Sequence, residues 1–468
     1  MRVREMHEDE NEERAGATVT AETSRYRQLY PIRRMYPFRR TIGESSVLAE
    51  LREFLVSSPG KLVSSALVLA AMCLFVGWFA AAGQLGRTDV LRSNLADFEP
   101  RANASQVLYS SLSTANASAN AAFIAGGINN DALLSSYLAA IATAGRAVVT
   151  SATSLPPAEQ QAHDDLNTIA TTLPVYTGLV ETARANNRQD NAVGAAYLAS
   201  ASTLMQNTML PAAEQFYHQE DAGLRASHEK FADPPYALYG ALIVTLGSLL
   251  LAHRQLARRT RRTLNLGLLV AGAAMTVALL WVAIASLTSV SFSALAQSKG
   301  ADAVDSLTNA RTLTQKARSM ETMALVQRGG DTSAASGSFS GALDDALASL
   351  SKVGRSDQSV ATEVDAARSA ATLWASAHRQ ILQHENSGDY VGATRLAVGT
   401  DPGSAALAYQ SLDTHLTTAI DRARTLYRDN VNTARASIAY SGPGAFVLSC
   451  VAVAGIGVGY YPRIREYR

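Results

Sequence analysis

"LVSSALVLAAMCLFVGWFAAAG", Leu62 to Gly83, holds no Asp, Glu, Lys or Arg. A helix crossing the roughly 30 Å hydrocarbon core of a bilayer needs about 20 such residues, so this run reads as a membrane span. Three more runs share the property: Tyr236 to Ala252, at the short end, Leu266 to Thr288, and Ala445 to Tyr461. The remaining windows read as too polar to span. The first run lies well inside the chain, so it is expected to persist as an anchor and not to be cut away as a signal peptide. The mean hydropathy of +0.02 conceals this division between apolar runs and polar intervals.

With 468 residues, 47% of them hydrophobic and 17% charged, the chain is long enough for two or three domains and too apolar for general disorder. A net charge of +1 argues against a nucleic-acid binder. Both cysteines, Cys73 and Cys450, fall in the apolar runs, so no disulfide framework supports the rest, which must hold by helix packing.

Cationic residues set the orientation. Arg33, Arg34, Arg39 and Arg40 precede the first run, Arg258, Arg259, Arg261 and Arg262 crowd "HRQLARRTRRT" between the second and third, and the chain ends "YYPRIREYR". The positive-inside rule puts all three on the cytoplasmic side, as a topology signal and a contact surface for anionic lipid or a cytosolic partner. The expected plan is a cytoplasmic tail 1–61, span 62–83, outer segment 84–235, span 236–252, basic link 253–265, span 266–288, outer segment 289–444, span 445–461 and stub 462–468. The plan is that of a multi-pass membrane protein, expected in a bacterial cell membrane with both termini inside.

Each outer segment has helical periodicity. In the first, apolar residues recur at three and four along Val107, Leu108, Leu112 and Ala115, then Leu134, Leu138 and Ile141, then Leu166, Ile169, Leu173 and Tyr176, then Leu198, Ala201 and Met205. The breakers "GGINND", "LPPAE" and "NNRQDN" divide it into four helices; Pro174 and Pro211 fall inside two of them and should kink or break them. The fold class expected is all-α: four transmembrane helices and two extracytoplasmic antiparallel four-helix bundles in tandem repeat. The repeat rests on "DNAVGAAYLASAS" and "GDYVGATRLAVGT", which align Gly194 with Gly392 and Tyr176 with Trp374, and on "ANAAFIAGG" against "ETMALVQRGG".

An up-down bundle brings its first and third turns to one end, here the pole away from the membrane. Asn129, Asn130 and Asp131 are thus expected beside Asn186, Asn187, Arg188, Gln189 and Asp190. In the second segment Gly329 to Asp331 should neighbour His384, Glu385, Asn386 and Asp389. These residues have two readings. Either they cap helices, with Asn187 or Asp190 accepting from the free amides of the fourth helix, or they form a contact surface for a ligand or partner, with Arg188 the leading candidate.

No catalytic constellation stands out. His163 and His384 have no second histidine at metal-binding spacing, the glycines of "GLLVAGAAMT" lack a following Lys-Ser/Thr, and the spans hold no charged side chain of the kind that marks a permeation path. No enzyme activity, metal or cofactor is expected. Gly455 with Gly459, and Gly240 with Gly247, suit either packing among the spans or contact across a homodimer. The tail, from "HEDENEE" through Thr18, Thr20 and Thr23 to "RYRQLYPIRRMYPFRR", reads either as a disordered segment ending in a membrane-surface anchor or as a docking or phosphorylation segment.

"SPGKL" before the first span, "ANAAFIAGG", and above all "NNRQDNAVGAAYLASASTLMQNTMLPAAEQFY" resemble a group of actinobacterial four-span membrane proteins. These couple an extracytoplasmic amino-acid-binding lipoprotein to the soluble Ser/Thr protein kinase G. The resemblance covers the first span and first outer segment, and the second only in layout. It implies a transmitter in which the lipoprotein holds an amino acid of the Asp, Glu, Asn or Gln type and a cytosolic Ser/Thr kinase receives the signal. Two other readings compete: a direct small-molecule sensor using its own bundles, and a structural envelope protein that carries no signal.

Overall fold

The computed structural model describes residues 58–125, 130–189, 191–229, 233–260, 265–327, 332–353 and 358–465, and among these every regular element is a helix. In chain order they are α1 (Ser58–Ser93), α2 (Glu99–Ile124), α3 (Asn130–Ser154), α4 (Gln160–Asn187), α5 (Val193–Leu204), α6 (Leu210–Glu229) and α7 (Tyr236–Thr260). The second half holds α8 (Leu266–Leu295), α9 (Asp302–Gln327), α10 (Thr332–Ser351), α11 (Gln358–Asn386), α12 (Tyr390–Val398), α13 (Ala405–Ile438) and α14 (Ser441–Arg465).

Single π-helical turns join α1 to α2 at Asn94–Phe98, α5 to α6 at Met205–Met209 and α8 to α9 at Ala296–Ala301. The first two lie just before Pro100 and Pro211. Proline lacks the N–H that a regular helix would bond four residues back, and an extra residue in the turn relieves the ring clash. Pro211 therefore neither breaks nor ends its helix, and Pro174 sits inside a continuous α4. At the third turn the cause is crowding: a Cβ on Gly300 would lie 2.6 Å from Tyr427 Cβ and 2.8 Å from its Cα, so α13 runs against bare backbone there.

α1, α7, α8 and α14 pack as one group, with α14 between α1 and α8. Their interior is apolar, with Cys73, Leu242, Met275, Val282 and Ala452 buried. Their outer surface is apolar too: Leu67, Phe75, Trp78, Ile243, Leu250, Ile284 and Val458 are all more than half exposed. Helices apolar all round belong in lipid. The tightest approach is at Gly267, where an added Cβ would lie 2.4 Å from Gly455 O and 2.4 Å from Gly459 N. Asn265 caps α8 there through Gly267 N and donates to Gly459 O at 2.9 Å, tying the start of α8 to the end of α14. Gly455 and Gly459 thus pack α14 against α8. Gly240 and Gly247 make no such contact, because nothing lies within 4 Å of where their Cβ atoms would be.

Among the described residues five helices are long and apolar enough to cross a membrane, and the fifth is Asp131–Ser154. This overturns the expectation that every other window is too polar. The segment is rich in Ala, with Asp131 and Arg146 its only acidic or basic residues, so its mean hydropathy reaches 1.5. Its Tyr137, Ala140, Ala144 and Ala147 nevertheless pack into the same core as Leu108, Ile169, Tyr176 and Phe216, so α3 is one wall of a bundle built from α2 to α6.

A second core, with Leu307, Phe339, Trp374, Ile381, Leu412 and Ile420, joins α9 to α13. The cores interlock along α2 and α9, with Val326 buried in the first and Ala121 and Ala125 in the second. Between the outer helices and the apolar group lies a collar of Leu91, Leu224, Ala296, Tyr427, Val431 and Ile438. Residues 233–235, including Pro234 and Pro235, lie outside helix and separate α7 from the first bundle. Gly60–Ile124, Leu266–Val326 and Ala405–Pro462 run as long helices of 65, 61 and 58 residues.

Candidate functional site

Of the first pole, Asn129 and Asp190 lie outside the described residues, and Asn130 begins α3. Asn187 Nδ2 donates to Phe123 O at 3.0 Å, which ties the end of α4 to the end of α2. Asn186 donates to Thr182 O at 2.9 Å and accepts from Asn191 Nδ2 at 3.0 Å. The cap acceptor for α5 is Asn191, whose Oδ1 receives Val193 N at 3.1 Å, and not Asn187. Asn187 is taken by the crossing to α2, a tertiary bond that local capping rules do not anticipate. Gly194 is buried because a Cβ there would sit 2.9 Å from Ala183 O, so only glycine lets α5 fold back this closely on α4. What remains for a partner is Arg188, Gln189 and Asp131, all exposed.

At the second pole Asp331 lies outside the described residues. His384 Nδ1 and Asp389 Oδ2 are 2.7 Å apart, while Asp389 Oδ1 accepts from Gly392 N at 2.9 Å and caps α12. The backbone bond from Gly392 and then the His384 contact hold the Asp389 carboxyl below the usual range, whereas burial pushes Glu385 up. Gly388 makes the turn at φ +80°. Asn386 ends α11 and is exposed. Among the described residues of this pole His384 and Asp389 are engaged with each other, while Asn386 is exposed.

Of the basic link, Arg258 is exposed near the end of α7 and Arg259 lies in the same helix. Arg261 and Arg262 lie outside the described residues, as do Arg33, Arg34, Arg39 and Arg40.

Beneath the second pole is a constellation the sequence reading missed. Glu321, 3% exposed, accepts from Arg318 Nη1 at 2.5 Å and from Trp374 Nε1 at 3.2 Å, and lies 3.0 Å from His378 Nδ1. Burial alone would raise the Glu321 carboxyl. The contacts from His378, Arg318 and Trp374 outweigh it and hold the carboxyl below its ordinary value. Arg318 also donates to Ala397 O at 2.8 Å, and His378 stacks on Phe339 with ring centroids 3.7 Å apart. The cluster therefore pins α9, α11 and α12 together. Its sequence signals were Arg318 and Glu321 three apart and Trp374 and His378 four apart, each pair on one helix face.

The seam between the bundles is polar. Asn116 Nδ2 and Gln206 Nε2 both donate to Ser319 Oγ, at 2.8 and 2.9 Å, and Ser202 Oγ donates to Asn116 Oδ1 at 3.0 Å. Lower down Arg428 pairs with Glu99 at 2.8 Å, and Arg424 reaches Asn103 and Gln106. Charged and amide groups at such a seam fix the register of two helices more than they add stability. Among the described residues no group of three His, Cys, Asp or Glu side chains is placed to hold a metal ion.

Residues 91–229 match the family described as the actinobacterial sensor domain. The match begins at the end of α1 and closes at the end of α6, so it takes in the whole first bundle. No curated protein and no solved structure matches the chain. The family match and the apolar helices together support a sensing or signalling role at a membrane.

Proposed function

We propose that the chain is a non-enzymatic transmembrane transmitter, relaying amino-acid availability from an extracytoplasmic binding lipoprotein to a cytosolic Ser/Thr kinase. The observation that carries this reading is helix continuity. Gly60–Ile124 is 65 residues of helix, about 100 Å at 1.5 Å per residue, and connects the apolar group to the distal pole. Leu266–Val326 does the same in the second half, and Ala405–Pro462 runs from the loop after α12 into the apolar group. A contact at the pole that shifts one such helix against another moves its far end as well, because helices transmit axial displacement with little loss.

In this reading α1, α7, α8 and α14 are the four spans and α3 is a bundle wall, since its Tyr137 and Ala144 are committed to a core. The two bundles are copies of one plan: the π turns at 94–98 and 296–301 fall at matching places, and Tyr176 and Trp374 are both fully buried. Both termini and the basic link face the cytoplasm by the positive-inside rule. The amino-acid class and the kinase come from the resemblance to the kinase-coupling group. Arg188, Gln189 and Asp131 form the docking surface, and the link with Arg258 is the output.

The test is crosslinking and pull-down from the native host. The lipoprotein and the kinase are expected to be recovered together with the wild-type chain, and Arg188→Glu is expected to lose the lipoprotein while membrane insertion stays intact. Recovery of neither partner would sink the relay.

A further inference from the structure

A cleft of about 320 Å³ opens between the two bundles, walled by α2 and α6 on one side and α9 with the end of α10 on the other. That volume suits one small molecule. On its wall is Gln315, only 1% exposed, whose amide oxygen and nitrogen both lack a hydrogen-bond partner in the protein. A buried primary amide with neither donor nor acceptor satisfied is disfavoured, and a ligand that offers both relieves it.

The charges at the cleft are sorted. Arg311 is held by Asp413 through two bonds, at 2.7 and 3.0 Å, and Asp305 is held by Arg225 at 3.0 Å. Two charged groups on the wall remain available, one of each sign. Glu214 has only His218 at 4.0 Å, and Lys352 has no ion-pair partner among the described residues. Burial pushes the Tyr109 and Tyr217 phenols well above their ordinary value, so they stay neutral and contribute hydroxyls and ring faces.

We infer that this cleft is a binding site for a small zwitterion carrying an amide or similar donor-acceptor group. Its carboxylate meets Lys352, its ammonium meets Glu214 and its amide pairs with Gln315. The cleft borders α2 and α9 above the π turns that lead into the apolar group, so occupancy bears on the spacing of the two bundles. This inference is independent of the relay: it concerns direct binding to the chain, with no lipoprotein present.

The experiment is isothermal titration of the full-length chain in lipid nanodiscs with L-asparagine, with glycine betaine as a zwitterion lacking the amide, and with sucrose as a neutral polyol. L-asparagine is expected to bind saturably and more tightly than glycine betaine, and sucrose not at all. Lys352→Ala and Gln315→Leu should each weaken L-asparagine about tenfold or more. Gln315→Leu should also melt no lower than wild type, because it removes an unsatisfied amide. Lys352 lies at the exposed end of α10, where loss of its charge leaves folding intact. No saturable binding of L-asparagine, equal affinity in the wild type and both variants, or preferential binding of sucrose would each overturn the assignment.

Discussion

Glu321→Leu isolates the ionic cluster of the second bundle. The side chain is replaced by one of similar bulk, so the main loss is the carboxylate rather than volume. Arg318, 5% exposed, would then keep its bond to Ala397 O but face no counter-charge, and Trp374 Nε1 and His378 Nδ1 would lose their partner. Breaking a buried pair from one side costs about 3–5 kcal/mol, mostly the penalty of the stranded charge. For a unit of this size that is a drop in melting temperature of roughly 10 °C, read by scanning calorimetry in nanodiscs. The companion Arg318→Met with Glu321→Leu removes both charges and should recover most of the loss, because apolar replacement of an entire buried pair is close to neutral. If Glu321→Leu costs less than about 1 kcal/mol, the pair behaves as a surface salt bridge and the reasoning fails. It also fails if the double variant is as unstable as the sum of the two single ones.

Acid should report the same group. Since the Glu321 carboxyl is held below its ordinary value in the folded chain, its contribution is full above the unfolded value of about 4.3 and is lost as pH falls through the folded value. Glu321→Gln should therefore flatten the fall in melting temperature below about pH 5, and an unchanged slope would contradict the assignment. Gly267→Leu forces a side chain into the backbone of Gly455 and Gly459 and should cost about 1–3 kcal/mol or more in detergent melts, while Gly240→Leu, facing open space, should cost nothing measurable. Deleting Ser298 from the π turn Ala296–Ala301 should be tolerated better than deleting Leu313 from α9. The first removes a residue already accommodated as a bulge, whereas the second swings every later position by about 100°; equal loss from both would refute the bulge.

Much of the plan was legible because it rests on one-dimensional signals. A run of this length without charge, such as Leu62 to Gly83, must be a helix if it lies in lipid, and "GGINND", "LPPAE" and "NNRQDN" each coincide with a break between helices. The continuity of the long helices was not legible, since one extra residue in a π turn leaves the apolar period almost unchanged. Pro100 and Pro211 were its only marks, and proline reads equally as a kink. Hydropathy alone does not assign Asp131–Ser154, because alanine scores as apolar in lipid and in a bundle wall alike. The cleft was beyond reach for a different reason. Gln315 comes from α9, Glu214 from α6 and Lys352 from the turn after α10, and nothing local marks Gln315 as a residue whose amide goes unsatisfied.

The two bundles share a layout but fill it differently, and the difference bears on how each responds to force. Around Tyr176 the first is closed by Val180, Ala183 and Leu198, contacts that remain favourable over small displacements. Around Trp374, the position aligned with Tyr176, the second is closed by Arg318, Glu321 and His378, bonds that lose most of their strength once the geometry departs from a narrow range. The exposed groups at the poles divide the same way: Arg188 and Gln189 are free above the first, whereas Asp389 is held by His384 and Gly392 above the second. The first bundle has an ionic cluster of its own lower down, Arg101 with Glu220 at 2.8 Å and with Glu159 at 2.5 Å, so each bundle is pinned at one level, and the seam at Asn116 and Ser319 lies between them. The bond from Asn116 to Ser319 holds α2 in register with α9, and both helices continue through their π turns into the apolar group.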